Sequence, residues 1–322
     1  TSVYHSWGIP FVPGYEQARL RLTPDGVLEV RSGVHSHGQG LETTLAQVAH
    51  EELGLAPDRV RVVLGDTALT PYSTGTWGSR CMVMAGGAVA AGCRLLAERL
   101  AAIGAGLLQA DPAEITVAHG QVRRRDSGAW LAIEEVARIW HRQPQFLPQG
   151  VDPGGLEVTA GYRPEPDSGT HSYACHAAVV RVDTETGAAA IEDYVIVEDG
   201  GTLINPMIVD GQVIGGLAQG IGTALYEEMP FDAQGQPLAA SLADYLLPGA
   251  TEVPDVRLDH MTTPSPWTTF GQKGIGESGA IGPPACIVNA INDALAPLGA
   301  EVLELPASPE RVLAALEAAG VR

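Results

Sequence analysis

Two similar patterns follow one another along the chain, and together they constrain its fold more than any other feature. Apolar and polar residues alternate over residues 18–30, with a turn at Pro24-Asp25-Gly26, and this predicts a β-hairpin. The same signals recur over residues 177–197, and in each case an apolar helical segment follows. Hairpins followed by helices are typical of an α+β fold. We therefore predict two similar hairpin-plus-helix units related by an approximate internal duplication.

Helices are predicted where apolar residues recur at helical spacing. The first hairpin is followed by a helix over 41–53 and a strand over 59–64. A second helix, over 83–108, is apolar on every side, which predicts that it is buried. The second hairpin is followed by a helix over 206–226, and a last apolar helix is predicted to begin at Pro283.

The middle of the chain separates two predicted domains. Residues 111–165 are rich in Pro, Gly and Arg and show little periodicity apart from a short helix near 133–140. They are predicted to form a small insertion or connecting layer. We therefore predict a first domain over 1–165, which includes this insertion, and a second over 166–322.

Composition and charge exclude several classes of protein. The 322 residues include 19 basic and 38 acidic ones, a formal charge of −19, which disfavours nucleic acid and anionic membranes as partners. No apolar run is expected to reach the length of a membrane span, so we predict a cytoplasmic protein. The four cysteines contain no C-x-x-C pair, so zinc and iron–sulfur sites are not expected on this chain, and no metal-ligating residue is predicted.

The segment 271–284 places one carboxylate, Glu277, among five glycines in front of the last predicted helix. Backbone N–H groups of closely spaced glycines can approach a ligand, so the pattern predicts a positioned, functional glutamate. Two other interpretations stay open on these residues alone. Gly274-x-Gly276-x-x-Gly279 matches a dinucleotide-binding fingerprint, although a Pro- and Thr-rich stretch precedes it where that motif needs a strand. The other is a glycine-rich turn that caps a helix beginning at Pro283.

Glycines surround polar side chains elsewhere too. The predicted helix 206–226 contains several glycines, each costing about 1 kcal/mol relative to alanine. Tight packing of another backbone or a bulky ligand is expected to offset that cost, and Gln212 lies near the start of the helix. Gln39 lies between two glycines, and residues 75–80 read Gly-Thr-Trp-Gly-Ser-Arg. Such segments suit a large polar ligand that is bound through the main chain and glutamines.

In order and spacing, these segments resemble the C-terminal half of the molybdopterin-binding large subunit in the molybdenum hydroxylase family. This is the group of xanthine dehydrogenase, aldehyde oxidase and aerobic carbon monoxide dehydrogenase. The resemblance implies an α+β molybdopterin-binding domain of an oxidoreductase that oxidises an electron-poor carbon with oxygen from water. It covers nearly the whole chain and rests on residues 37–44, 65–67, 71–80, 205–212, 218–222, 244–248 and 273–282.

The resemblance also implies roles for individual residues. The glutamate matching Glu277 acts as general base, which favours a carboxylate desolvated in a buried pocket. Phe11 falls where some members place an aromatic ring that stacks on the substrate. The residues implied to bind the cofactor are Gln39 and Gln212 at the pterin and the metal, Thr76, Gly78, Ser79, Arg80, Met82 and Val83 at the phosphate-bearing tail, and Gly40 and Gly276.

A complete large subunit of that family is more than twice as long as this chain. The resemblance therefore implies that this chain is an excised domain or a split-gene subunit that carries half of the cofactor site. Molybdopterin is then expected to bind only when the N-terminal half is also present. A cytosine dinucleotide form of the cofactor is one option. Iron–sulfur clusters and FAD are implied on partner domains or subunits of a heteromeric complex.

Two alternatives to this function stay open. One is a non-catalytic scaffold or assembly subunit that retains the fold. The other is a nicotinamide-linked dehydrogenase, which needs a parallel, doubly wound sheet that the hairpins do not predict. The sequence does not identify the substrate.

Overall fold

The structure is a computed structural model that describes residues 2–5, 14–152, 154–164 and 170–321. These residues form two compact units. The N-terminal unit contains the described residues from 5 to 170 and the segment 265–273, and the C-terminal unit contains residues 2–4, 171–264 and 274–321. The domains at 1–165 and 166–322 stay a prediction. The return of residues 265–273 to the N-terminal unit was not predicted.

The N-terminal unit is built on a four-stranded sheet that includes the first predicted hairpin. β2 and β3 are antiparallel, with Leu20 opposite Val30, and β4 runs parallel to β3. Alternate residues of β2, including Leu20 and Leu22, are fully buried, as the period-2 pattern predicts. The strands lie in the order β4-β3-β2-β8, with β2 at Glu16–Leu22, β3 at Leu28–Ser32, β4 at Val60–Val63 and β8 at Glu157–Tyr162.

Two helices cover this sheet, α1 at Leu41–Leu53 and α2 at Cys81–Leu107. α2 packs so closely on the sheet that a Cβ added at Gly92 would lie 2.7 Å from the Leu20 side chain. Within the part of the chain that the structure describes, α2 is the helix long and apolar enough to cross a membrane. The prediction that no apolar run reaches that length was therefore wrong. Since 67% of the apolar stretch is buried inside the protein, α2 is a core helix here.

A small three-stranded antiparallel sheet forms the first part of the region predicted as an insertion. Its strands are β5 at Ile115–Ala118, β6 at Gln121–Arg124 and β7 at Trp130–Ala132, and α3 follows at Ile133–Arg142. The sequence predicted only the helix. Strands of three or four residues are too short to show period-2 alternation, so the pattern could not reveal them.

The C-terminal unit repeats the arrangement of the first sheet. β9 at Thr170–Val182 and β10 at Ala189–Asp199 form the second predicted hairpin, and β11 at Val256–Met261 runs parallel to β10. β1, at Ser2–His5, is the fourth strand, which gives the order β1-β9-β10-β11. Each sheet thus combines a hairpin, a strand parallel to its second strand and a further strand beside its first, as expected for two similar α+β units.

Three helices complete the C-terminal unit: α4 at Pro206–Leu225, α5 at Ser278–Leu295 and α6 at Pro309–Ala318. The prediction that the last apolar helix begins at Pro283 was wrong, because α5 begins five residues earlier and includes Pro283 and Pro284. Proline usually marks a first helical turn. Here the preceding turn is also helical, since Gly279 packs directly against α4, where an added Cβ would lie 2.3 Å from the Val213 carbonyl oxygen.

Candidate functional site

Arg80 supports the loop 75–80 from inside the N-terminal unit. Its side chain is almost completely buried, and Nη1 donates to Glu16 Oε2 at 2.9 Å and to the Gly75 carbonyl at 3.0 Å. Nη2 donates to the Tyr15 carbonyl at 3.0 Å. The sequence did not single out Glu16, which is fully buried 64 residues earlier in the chain. The Arg80 guanidinium therefore fixes the loop and is not presented to solvent.

The loop in front of α2 leaves space beside two of its glycines. Gly75, Gly78 and Ser79 have left-handed φ values of 85, 55 and 54°. A Cβ added at Gly75 or Gly78 would meet no heavy atom within 4 Å, so the space on the side-chain side of both glycines is open. The first N–H groups of a helix, here including Met82 and Val83, lack intrahelical acceptors, and Arg80 gives α2 no side-chain cap. An open loop leading into such a helix start can bind a phosphate group.

Gln39 and Thr76 are brought together around the backbone of His35. Thr76 Oγ1 accepts from the His35 N–H at 2.9 Å and donates to the His35 carbonyl at 2.5 Å. Gln39 Nε2 donates to the same carbonyl at 3.4 Å, and its Oε1 accepts from the His37 N–H at 2.7 Å. Gly40 follows in the left-handed region, with φ 74°, as the residue before α1. Two of the predicted cofactor segments therefore meet at one point of the N-terminal unit.

Gln272 anchors the returning segment 265–273 at the start of α2. It is 1% exposed, its Nε2 donates to the Met82 carbonyl at 3.3 Å, and its Oε1 accepts from the Phe270 N–H at 2.9 Å. The sequence analysis missed Gln272, although a glycine precedes it as one precedes Gln39 and Gln212. The chain enters the C-terminal unit at residue 274, directly after this anchor and just before Glu277.

The glycines of α4 separate into packed and open ones. A Cβ at Gly216 would lie 2.9 Å from backbone atoms of Gly279 on α5, and a Cβ at Gly220 would lie 2.6 Å from Pro283. Close helix packing therefore explains these two positions. Gly211 and Gly215 would meet no heavy atom within 4 Å. They leave an open stretch of backbone beside the half-buried Gln212, as the ligand interpretation expects.

Glu277 is the residue immediately before α5, and both it and Gly276 are exposed. The expectation of a buried carboxylate is therefore wrong for this chain. Glu277 makes no side-chain cap to α5, so it does not act as the capping group of a simple turn. The dinucleotide interpretation is also wrong, because β11 ends at Met261 and a loop, not a strand, leads into the glycine pattern.

A cluster of buried polar groups begins at Ser278, the residue after Glu277, and the sequence analysis did not identify it. Glu198 and Ser278 are 2% and 1% exposed, and Ser278 Oγ lies 2.9 Å from Glu198 Oε2. Glu198 Oε1 lies 3.7 Å from His260 Nδ1, and His260 Nε2 lies 2.7 Å from Asp210 Oδ1. Burial raises the pKa of Glu198, while the Ser278 hydrogen bond and His260 oppose this rise.

The predicted site residues thus fall in two groups, one in each unit. The described residues contain no group of three or more His, Cys, Asp or Glu side chains placed to hold a metal ion. Phe11 lies outside the described residues.

The fold and these glycine-lined surfaces define an α+β domain built to hold a polar cofactor. Residues 1–254 match the family model for the molybdopterin cofactor-binding domain, and the chain belongs to this family. The family resemblance drawn from the sequence is confirmed.

Named relatives agree with this assignment. The chain is 37% identical over 302 residues to the nicotine 6-hydroxylase large subunit of Paenarthrobacter nicotinovorans, a match covering 94% of this chain and 37% of the relative. It is 34% identical over 304 residues to the carbon monoxide dehydrogenase large chain of Hydrogenophaga pseudoflava, with 94% and 37% covered. Reconstituted CO dehydrogenase from Oligotropha carboxidovorans has a similar structure, with a TM-score of 0.90 and 33% identity over 99% of this chain and 40% of that one. The chain spans less than half the length of these relatives.

The described residues fit a molybdopterin cofactor. The open space beside Gly75 and Gly78 and the helix start that follows them suit a phosphate group. The open face at Gly211 and Gly215 lets a flat, bulky group approach the main chain beside Gln212, whose amide can donate and accept hydrogen bonds.

Proposed function

We propose that this chain contributes part of the active site of a molybdopterin-dependent oxidoreductase that oxidises an electron-poor carbon with oxygen from water. The observation that carries the proposal is the position of Glu277, an exposed carboxylate at the start of α5. The α4–α5 crossing places this helix start beside the segment of α4 that bears Gln212 and its open glycines. Relatives named as a hydroxylase and a dehydrogenase support the class of reaction.

In this proposal the chain's own residues bind and orient the cofactor, and one of them accepts a proton. Glu277 accepts a proton at a carboxylate oxygen from the water-derived nucleophile, as a general base. Gln39, Gln212, Gly40 and Gly276 orient the cofactor through amides and main chain. The phosphate-bearing tail is held by Thr76, Gly78, Ser79, Met82 and Val83, and Arg80 supports their loop from inside. The bound cofactor supplies the metal centre that takes up the substrate's electrons.

The exposure of Glu277 fits a chain that needs a larger assembly. The relatives carry more than half of their length outside the matched region. We propose that the N-terminal half of the large subunit, in the same or a separate chain, covers Glu277 and completes the cofactor site. Iron–sulfur clusters and FAD on partner domains or subunits would then pass the electrons on.

Replacing Glu277 by Gln in the assembled enzyme tests the proposed base. Gln is nearly isosteric but cannot accept the proton, so turnover should fall by about 10²- to 10⁴-fold. Molybdenum content should stay unchanged, because the side chain is not required to hold the cofactor. Glu301→Gln, at another exposed glutamate of the C-terminal unit, is the matched control and should behave as wild type.

Two outcomes would contradict the proposal. Near-normal turnover of Glu277→Gln would remove Glu277 from catalysis. A wild-type complex that assembles with molybdenum but oxidises none of the family's substrate classes would favour the scaffold alternative.

A further inference from the structure

We propose that Glu198 is a positioning residue that holds the Glu277 turn in place through Ser278, and that it does so as a neutral, protonated carboxyl. The proposal rests on the proposed role of Glu277 as general base. Glu198 is almost completely buried, and its effect on the reaction passes through the turn that carries Glu277.

For both oxygen contacts of Ser278 to be hydrogen bonds at once, one more proton is needed than the hydroxyl itself carries. Ser278 Oγ lies 2.9 Å from Glu198 Oε2 and 3.1 Å from the Ile275 carbonyl oxygen. A serine hydroxyl has a single proton and can donate to one of these oxygens at a time. When Glu198 is protonated at Oε2, it donates to Ser278 Oγ, and Ser278 donates to Ile275. Both short contacts are then hydrogen bonds.

These hydrogen bonds fix the turn over residues 275–278, which contains Glu277. Ile275 and Ser278 lie on either side of Glu277, so the hydrogen bonds tie both ends of the turn to the end of β10. Packing supports the same arrangement, because a Cβ added at Gly200 would lie 2.7 Å from Ile275 Cγ2. The missing side chain at Gly200 therefore makes room for the turn.

The charged groups that face Glu198 act in both directions: Asp199 and Asp210 favour its neutral form, whereas His260 favours the ionised one. Asp199 follows it on β10, Asp210 lies on α4, His260 is its paired residue on β11, and Ala174 is its paired residue on β9. His260 Nε2 lies 2.7 Å from Asp210 Oδ1, whereas its Nδ1 lies 3.7 Å from Glu198 Oε1, beyond hydrogen-bond distance. Among the described residues, neither Glu198 Oε1 nor His260 Nδ1 has a hydrogen-bond partner. Burial raises the pKa of Glu198 and so favours the protonated carboxyl, which the hydrogen-bond geometry also favours.

Substitution of Glu198 by Gln distinguishes a protonated carboxyl from an ionised one at this position. Glu198→Gln keeps a donor toward Ser278 and should retain most of kcat. Glu198→Ala and Ser278→Ala release the turn, and kcat should fall by about 10- to 100-fold, since misplacement of a catalytic group by about 1 Å costs that much. KM and molybdenum content should change little. The double variant should be no worse than either single variant, because both act through one interaction.

Two further comparisons sharpen this test. Glu192→Gln, on the same strand but in a surface ion pair with Arg181, is the matched control and should behave as wild type. Loss of kcat in Glu198→Gln equal to that in Glu198→Ala would overturn the proposal, because an ionised carboxylate would then be required. Full kcat in Glu198→Ala would overturn it as well.

A spectroscopic measurement tests the protonation of Glu198 without relying on turnover. The infrared difference spectrum of the assembled wild-type enzyme minus Glu198→Gln at pH 7 should contain the carbonyl band of a protonated carboxylic acid. Carboxylate bands in its place would overturn the proposal, even if the Ala variant does not assemble. Failure of the base assignment is distinguishable, because an active Glu277→Gln variant would leave this infrared result unchanged.

Discussion

Arg80 and Glu16 form an ion pair beneath the loop 75–80, with side chains 1% and 0% exposed. Removing two charges from water is costly, and their attraction offsets that cost only when further hydrogen bonds satisfy them. The Gly75 and Tyr15 carbonyls accept two such bonds from Arg80. The pair therefore gives the loop a defined shape, and Gly75 and Gly78 leave space beside the loop for a ligand.

Removing one partner of this buried pair should destabilise the protein strongly. We expect Arg80→Met to lower the free energy of unfolding by about 3–5 kcal/mol, because Glu16 is left as an uncompensated buried charge. Arg181→Met is the control: its pair with Glu192 is at the surface, so the change should stay below about 1 kcal/mol. Urea denaturation of the purified chain measures both values. Equal changes in the two variants would show that burial does not determine the effect.

His176 should make the stability of the protein depend on pH. Burial lowers the pKa of His176 to about 4, below the ordinary value near 6.5. The unfolded chain therefore binds a proton at this residue before the folded chain does. The stability associated with neutral His176 is fully present above about pH 6.5 and is lost as the pH falls toward 4.

Thermal unfolding between pH 7 and pH 4 measures this effect. The melting temperature of the wild type should fall more steeply over this range than that of His176→Gln, which has no group to protonate. His171→Gln, at an exposed position of the same strand, should follow the wild-type curve. Parallel curves for wild type and His176→Gln would contradict the assignment.

At the scale of elements, the crossing of α4 and α5 determines where the candidate base lies. Gly216 of α4 and Gly279 of α5 allow the two backbones to touch, and this contact sets the position of the first turn of α5. Glu277 immediately precedes that turn. The glycine-rich pattern in 271–284 thus serves helix packing as well as the exposure of Glu277.

Two neighbouring glycines of α4 should respond to alanine in opposite ways. Gly216→Ala places a Cβ 2.9 Å from backbone atoms of Gly279. It should lower the free energy of unfolding by about 1–3 kcal/mol. Gly215→Ala fills open space and reduces the entropy lost on folding, so it should raise stability by about 0.5–1 kcal/mol. Denaturant unfolding of the purified chain compares them, and changes of the same sign would contradict the packing described.

At the scale of the whole molecule, the chain matches 37% of the length of the nicotine 6-hydroxylase large subunit and of the Hydrogenophaga pseudoflava carbon monoxide dehydrogenase large chain. We expect the purified chain alone to contain little or no molybdenum, because in our proposal it offers only some of the cofactor contacts. Metal analysis by mass spectrometry checks this, and the complex assembled with the remaining part of the large subunit is the control. Stoichiometric molybdenum in the lone chain would contradict the proposal of an incomplete site.

Local patterns in the sequence predicted much of the fold. The two hairpins and the helices α1, α2 and α4 follow from periodicity and turn residues, which act over a few positions along the chain. Ordered motifs over nearly the whole length identified the family. The early start of α5 and the short strands β5, β6 and β7 were missed, since packing partners rather than local pattern produce them.

The sequence by itself determined the two hairpin-plus-helix units, the family and the residues worth testing. Only the tertiary structure decided that the Arg80 side chain is internal, that Gln272 returns to the N-terminal unit, that Glu277 is exposed and that Glu198 lies behind it. Glu198 and Ser278 are 80 residues apart in the chain. Burial and hydrogen bonding between such distant residues depend on how the elements pack, and no local periodicity encodes that.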